Sequence, residues 1–196
     1  MIERAFRADA RVANGLHDGS ISVIVRVVDP QPEEGTDCPY HVGKGKDRVA
    51  RRSPFGVVGD RLWVQEEYCK GEYFTEEGEL WYRARPEDEH CFNEGEGSAC
   101  DSGWHPAEEM PQWASRTILD VTDVRVVRAQ EVAEKDAKAT GLCPLYKPAR
   151  GYDEDDDAGP SFALALRRLY GEDKWLWLAT VAKVENKPLA QKPVEA

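Results

Sequence analysis

Three side chains that could bind a nucleotide lie close together in the sequence, at Trp113, Ser115 and Arg116. They precede residues 117–128, the clearest strand pattern in the chain, so we expect them on a loop at the mouth of a barrel. A tryptophan can stack on a base, while serine and arginine can reach phosphate oxygens or base edges. The alternative is a tryptophan that closes the end of the barrel by packing.

Two further arginines lie on predicted strands. Arg26 belongs to the β-branched run 20–28, where a guanidinium pointing into a pocket would bind a phosphate or a carbonyl group. A structural ion pair or an outward-facing strand position is the alternative for this residue. Arg61 follows a turn signal at 59–60 and begins the alternating run 61–68, where turn chemistry together with packing is the alternative.

A basic segment could follow a phosphate backbone. Its positive side chains are Lys44, Lys46, Arg48, Arg51 and Arg52. Few aromatic residues flank the segment, so a solvated run of charges is the alternative. The chain as a whole has a net charge of −11, which argues against nucleic-acid binding by the entire surface. The acidic run 153–157 could meet a cation or a basic partner, with a solvated loop as its alternative.

Cysteine and histidine side chains raise the question of a metal site. The candidate zinc ligands are Cys38, His41, Cys91 and His105. Their spacing matches no zinc-binding signature and includes no Cys-x-x-Cys pair, so neither a metal nor another cofactor is predicted. The chain has five cysteines. Because this number is odd and the spacing suggests no disulfide framework, we expect free thiols.

Short strands dominate the elements that would position these residues. The predicted strands are 20–28, 61–68, 80–84, 117–128 and 175–184, and the predicted helices are 6–18, 131–140 and 162–170. Regular strand–helix alternation is missing, which argues against a parallel α/β sheet. We therefore predict an α+β fold, a small and mostly antiparallel β-barrel with about three short helices and long loops. It forms one domain at 1–185, followed by a loose tail at 186–196.

Several short motifs follow one another in a recognisable order. They are Arg26-Val27-Val28, Pro30-Gln31-Pro32, Gly59-Asp60-Arg61-Leu62-Trp63-Val64-Gln65-Glu66, Met110-Pro111-Gln112-Trp113-Ala114-Ser115-Arg116, and Trp175-Leu176-Trp177-Leu178. In this order they resemble ASCH-domain proteins of the phage and prophage type, which belong to the PUA-like superfamily. The resemblance implies a PUA-like barrel, a fold associated with recognition of RNA and modified nucleobases. The barrel mouth would be lined by Arg26, Arg61, Trp113, Ser115 and Arg116.

The motif of the hydrolytic relatives is not preserved. Small ASCH relatives that hydrolyse an acylated cytidine carry a Gly-x-Lys-x-x-Thr-x-Arg run and a glutamate on a later helix. Here the lysine and threonine positions hold Ile21 and Ile24, and the glutamate position falls at Thr140. Amide hydrolysis needs a nucleophile or an activated water together with a proton shuttle, and isoleucine supplies neither. We therefore expect no turnover by that route.

These observations lead to three functional hypotheses. The first is a non-catalytic or degenerate module that binds RNA, a modified nucleotide or another nucleic-acid ligand at the barrel mouth. The second is a nucleoside or nucleic-acid hydrolase with a displaced catalytic set drawn from Glu66, Glu67, His90 or His105. The third is an acidic interaction protein that inhibits a host factor. Since no apolar stretch fits a membrane span or a signal peptide, a cytoplasmic location is predicted, in the host cytoplasm if the protein is phage-encoded.

Overall fold

The structure is a computed structural model. It describes residues 1–32, 41–42, 49–50, 52–70, 80–84, 103–146 and 160–184. The chain divides into two compact units. The first consists of Met1–Ser20, Gly59–Asp120 and Ala182–Ala196, and the second of Ile21–Val58 and Val121–Val181. The single domain expected at 1–185 stays a prediction, and the tail expected at 186–196 lies outside the described residues.

Eleven strands and three α-helices occur in the described part of the chain. The strands are β1 (Glu3–Arg7), β2 (Val23–Val27), β3 (His41–Val42), β4 (Val49–Ala50), β5 (Arg61–Gln65), β6 (Tyr68–Lys70), β7 (Leu80–Tyr82), β8 (Ile118–Arg128), β9 (Leu145–Tyr146), β10 (Pro160–Ser161) and β11 (Trp175–Lys183). The helices are α1 (Ala10–Asp18), α2 (Glu134–Ala139) and α3 (Phe162–Tyr170). None of these helices is long and apolar enough to cross a membrane.

Strand β5 is the centre of pairing in the first unit. It runs parallel to β1, with Glu3 opposite Arg61, and antiparallel to the start of β8, with Trp63 opposite Ile118. The Val64 amide also donates to the carbonyl of Thr117 at 3.0 Å, one residue before β8 begins. The antiparallel direction therefore brings the end of β5 beside the residues that lead into β8.

The first helix begins later than its apolar pattern predicts. Asp9 caps α1, since its side chain accepts a hydrogen bond from the Val12 amide at 2.8 Å. Gly19 ends the helix with a φ of 84°, a conformation that favours glycine. The apolar spacing predicts Phe6 in the helix, but this residue lies in β1 and is 7% exposed. The predicted helix is confirmed only over its later part, because the cap at Asp9 separates a short strand from it.

The second unit packs two helices on the strands β2, β8 and β11. β2 and β11 are antiparallel, with Val23 opposite Thr180. The buried core beside them comprises Val23, Ala129, Val132, Ala137, Ala163, Leu166, Leu176 and Leu178. The Glu134 carboxylate of α2 accepts from the Ala163 amide at 3.0 Å, and the Ser161 hydroxyl accepts from the Leu164 amide at 3.1 Å. These contacts satisfy amide groups of the first turn of α3 that have no partner within the helix.

The strand order across the main sheet is β1-β5-β8-β11-β2. β1 and β2 are its edges in the described part of the chain, so the sheet is not closed there. The α+β class and the three short helices are confirmed, whereas the barrel stays a prediction.

Two details of the predicted loops and strands are corrected. The segment between the predicted strands 20–28 and 61–68, for which no strand is predicted, contains the paired strands β3 and β4. The predicted strand 61–68 corresponds to two strands, β5 and the start of β6, and the predicted strand 80–84 contains β7, which pairs with β6. β6 is a separate strand because the residues at 66–67 interrupt the pattern.

Cys69 is disulfide-bonded, which corrects the expectation that all the cysteines are free thiols. Its side chain is buried, while Cys143 is free and exposed. Alkylation requires a thiolate. We therefore expect alkylation of denatured, unreduced protein to label Cys143 and leave Cys69 unlabelled, as measured by peptide mass spectrometry. After reduction both residues should carry the label, and labelling of Cys69 without a reductant would contradict the bridge.

Candidate functional site

A buried ion pair joins Glu66 and Arg116 in the first unit. Glu66 follows β5 and Arg116 precedes β8, so the antiparallel pairing of these strands places the two residues side by side. Arg116 Nε donates to Glu66 Oε1 at 2.8 Å, and Arg116 Nη2 donates to Oε2 at 2.9 Å. The side chains are only 7% and 1% exposed. This two-point contact fixes the plane of the guanidinium.

The Arg116 guanidinium also lies over an aromatic ring. Its Cζ atom is 5.0 Å from the centroid of the Tyr82 ring, within the range of a cation–π contact. Tyr82 is held in place because its hydroxyl donates to the carbonyl of Ala114 at 2.7 Å. The remaining nitrogen of Arg116, Nη1, makes no hydrogen bond to any residue that the structure describes. The geometry leaves the Nη1 protons available to an oxygen acceptor.

A group of apolar and aromatic residues surrounds Tyr82, and we call it the aromatic cluster. Its members are Trp63, Tyr68, Leu80, Tyr82, Met110, Trp113 and Ala114. Trp63 and Trp113 are half-buried, so part of each indole is accessible. Exposed indole faces can stack on bases, and a guanidinium can bind anionic or carbonyl oxygens.

His105 borders the cluster through Tyr68. The two rings stack with their centroids 5.2 Å apart and an interplanar angle of 26°. The Tyr68 hydroxyl donates to the carbonyl of Glu109 at 3.3 Å. Burial raises the pKa of Tyr68, and the negative charge of Glu109 raises it further. Tyr68 therefore stays a neutral hydrogen-bond donor at physiological pH.

Ser115 and Arg61 have structural contacts. Ser115 is 1% exposed, and its Oγ atom lies 2.8 Å from the carbonyl oxygen of Val64 and 3.0 Å from that of Thr117. A single hydroxyl proton serves one of these carbonyls at a time. Arg61 Nε donates to Asp120 Oδ1 at 2.8 Å in a half-exposed ion pair. Both residues connect β5 to β8, which fixes the loop that carries Trp113 and Arg116.

The structure places Arg26 elsewhere. It lies on β2 of the second unit, opposite Trp177, at an exposed position. Of the basic segment, only Arg52 is described, and it is exposed. The predictions for Lys44, Lys46, Arg48 and Arg51, and for the acidic run 153–157, lie outside the described residues. The first unit thus unites Arg61, Trp113, Ser115 and Arg116, four of the five residues predicted to line the site.

The candidate zinc ligands are largely untested. Cys38 and Cys91 lie outside the described residues, and only the backbone of His41 is described. His105 Nδ1 is 3.6 Å from Glu109 Oε2. In the part of the chain that the structure describes, no group of three or more metal-binding side chains comes together.

The described members of the proposed hydrolytic set each contact a different residue. Glu66 is bound to Arg116, while Glu67 forms an exposed ion pair with Arg83 at 2.8 Å. His105 stacks on Tyr68, and His90 lies outside the described residues. The carboxylate of Glu66 is already occupied at both oxygens, which leaves it poorly placed to activate water.

Two features of the site were not predicted from the sequence. One is the pairing of Glu66 with Arg116, since Glu66 lies near the end of the predicted strand 61–68 and Arg116 directly precedes the predicted strand 117–128. The role of Tyr82 had no signal of its own, because its pairing with the arginine depends on how the β6–β7 hairpin lies. A comparison of the chain with protein families, curated proteins and solved structures finds no match.

Proposed function

We propose that the protein is a PUA-like module of the ASCH type that binds RNA, a modified nucleotide or another nucleic-acid ligand without turnover. Binding takes place in the first unit, at Arg116 and the half-buried tryptophans of the aromatic cluster. The PUA-like barrel is part of this proposal. It is supported by the order of the motifs at 26–32, 59–66 and 110–116, and by the antiparallel pairing of β5 with β8 and of β2 with β11.

The observation that carries the proposal is the fixed guanidinium of Arg116. Two of its nitrogens are held by Glu66, and Nη1 is left for an oxygen of the ligand. Trp113 lies three residues earlier and is half-buried in the adjoining cluster. A base stacks on this indole, while its phosphate or a carbonyl group binds Nη1. Pre-organisation of both groups lowers the entropic cost of binding.

The residues that replace the catalytic groups of the hydrolytic relatives favour binding over hydrolysis. Ile21 and Ile24 are 5% and 3% exposed and belong to the apolar interior. Thr140 is 8% exposed, and its hydroxyl donates to the carbonyl of Ala137 at 2.6 Å. These side chains are engaged in packing or in a local hydrogen bond, and none offers a nucleophile or a base.

The direct test is fluorescence anisotropy with labelled single-stranded RNA, single-stranded DNA and duplex DNA at low and moderate salt. Trp113→Ala is expected to lose about 1–3 kcal/mol of binding free energy, the value of one base stacked on an aromatic side chain. Trp175→Ala is the matched control, because it removes a half-buried tryptophan from the second unit. An equal loss of binding free energy in both variants would contradict the assignment of base stacking to Trp113.

The electrostatic part of the proposal has its own test. Binding should weaken steeply with salt, because neutralised phosphates release counterions. Reversal of Lys46, Arg48, Arg51 and Arg52 to glutamate should weaken it further if the basic segment follows the backbone. Absence of binding to every probe at low salt, where the electrostatic attraction is strongest, would overturn the proposed function.

A further inference from the structure

We infer that a second copy of this chain pairs with β1, antiparallel and centred on Ala5, and so extends the sheet into a symmetric dimer. β1 is an edge strand, and in the described part of the chain it pairs only with β5. An edge strand presents a row of amide and carbonyl groups that another strand can bind. The inference concerns the outward backbone groups of β1, which the proposed ligand site does not use.

The backbone of β1 shows which of its groups face outward. The Arg61 amide donates to the carbonyl of Ile2, and the Ala8 amide donates to the carbonyl of Gln65, both at 2.9 Å. In a parallel pair, alternate residues direct their amide and carbonyl groups to the same neighbour. The even-numbered residues therefore bond to β5, and the groups of Glu3, Ala5 and Arg7 point away from it.

These three residues are self-complementary in one arrangement. An antiparallel copy centred on Ala5 sets Glu3 opposite Arg7 of the copy, and Arg7 opposite its Glu3. All three outward pairs then form hydrogen-bonded pairs of an antiparallel ladder. Opposite charges directly across two strands are favourable, and like charges are unfavourable. A parallel copy in register would set Glu3 against Glu3, and a shift by two residues in either direction loses both charge pairs.

The charged side chains of this edge strand also have partners within the chain. Glu3 accepts a hydrogen bond from Gln112, and Arg7 forms an ion pair with Glu108. Glu3, Ala5 and Arg7 are all exposed, and they lie on one face because strand residues alternate. Ala5 at the centre is small enough to let the two backbones approach. Each Arg7 would then lie between its own Glu108 and Glu3 of the copy.

Exposed apolar side chains at the same edge also support the pairing of two copies through β1. Met1 and Ile2 are 80% and 56% exposed. In the proposed register Ile2 lies opposite Ala8 of the copy, which covers part of its side chain. The other edge strand, β2, lacks such complementarity, because an antiparallel copy centred on Val25 would set Arg26 against Ile24. The charges and the exposed apolar residues therefore favour β1 over β2 as the strand that pairs in the dimer.

Sedimentation velocity of the full chain over a range of concentrations tests the dimer. The expected result is a reversible shift from 22.0 kDa towards twice that mass. The single reversals Glu3→Arg and Arg7→Glu should each weaken the dimer roughly tenfold, since they turn two attractive pairs into repulsive ones. The double variant Glu3→Arg with Arg7→Glu restores both pairs in swapped form and should regain the affinity of the natural sequence.

A second variant tests the backbone without changing charge. Ala5→Pro removes an outward amide, which an edge strand tolerates in the monomer, and should abolish the dimer while the circular dichroism spectrum is retained. Two results would overturn the inference. One is a monomer at every concentration, and the other is a dimer whose affinity is unchanged by the single reversals and by Ala5→Pro.

Discussion

Replacing Arg116 by methionine is expected to lower the free energy of unfolding by about 3–5 kcal/mol, because it leaves the Glu66 carboxylate buried without its partner. The Glu66 side chain is 1% exposed, and Arg116 binds both of its oxygens. The contact of the guanidinium with the Tyr82 ring is lost in the same variant. The loss is measured by urea unfolding followed by circular dichroism.

The double variant Glu66→Leu with Arg116→Met separates the charge effect from packing. Replacing both members of a buried ion pair by apolar residues of similar volume is often neutral or stabilising, so the double variant should recover most of the lost stability. Arg83→Met is the matched control. Its ion pair with Glu67 is exposed, and such pairs contribute about 0–1 kcal/mol. A double variant as unstable as Arg116→Met would show that packing, and not the unpaired carboxylate, causes the loss.

The double variant also separates stability from ligand binding. It should be folded but should lack the Nη1 donor that the proposed function assigns to Arg116. Weak binding by a folded double variant would attribute the defect to the missing guanidinium. Binding equal to that of the natural sequence would place the ligand site away from Arg116, whatever the stability measurements give.

The sequence predicts the elements whose patterns are local. α3 occupies 162–170 as expected, and β8 and β11 agree with the predicted strands within two residues. These segments combine a clear apolar period with a turn or capping residue at an end. β1 was missed because Phe6 continues the apolar spacing of α1, and only the cap at Asp9 separates the two.

The sequence predicts which residues form the candidate site, but it does not predict the contacts between them. Trp113 and Arg116 were identified by chemistry and by their position before a strand. The partner of Arg116 lies fifty residues away in sequence, and its identification required the register of β5 against β8. Long-range pairing of this kind depends on tertiary packing, which propensities and spacing do not encode. The same applies to the disulfide at Cys69, because spacing alone does not pair cysteines.

Replacing Leu166 by alanine is expected to destabilise the protein by about 2–5 kcal/mol, the usual cost of a cavity left by a buried leucine. Leu166 lies on α3 and is 0% exposed, within the core that α2 and α3 form with β2 and β11. Chemical unfolding of the variant measures the loss.

Leu169→Ala on the same helix provides the matched control. Leu169 is 59% exposed, so the same substitution removes little buried surface and should change the stability by no more than about 0.5 kcal/mol. Both variants replace leucine by alanine on one helix, so a difference in helix propensity does not separate them. The difference between the two losses therefore measures burial. Equal losses would mean that α3 does not pack through Leu166, and the core of the second unit would have to be reassigned.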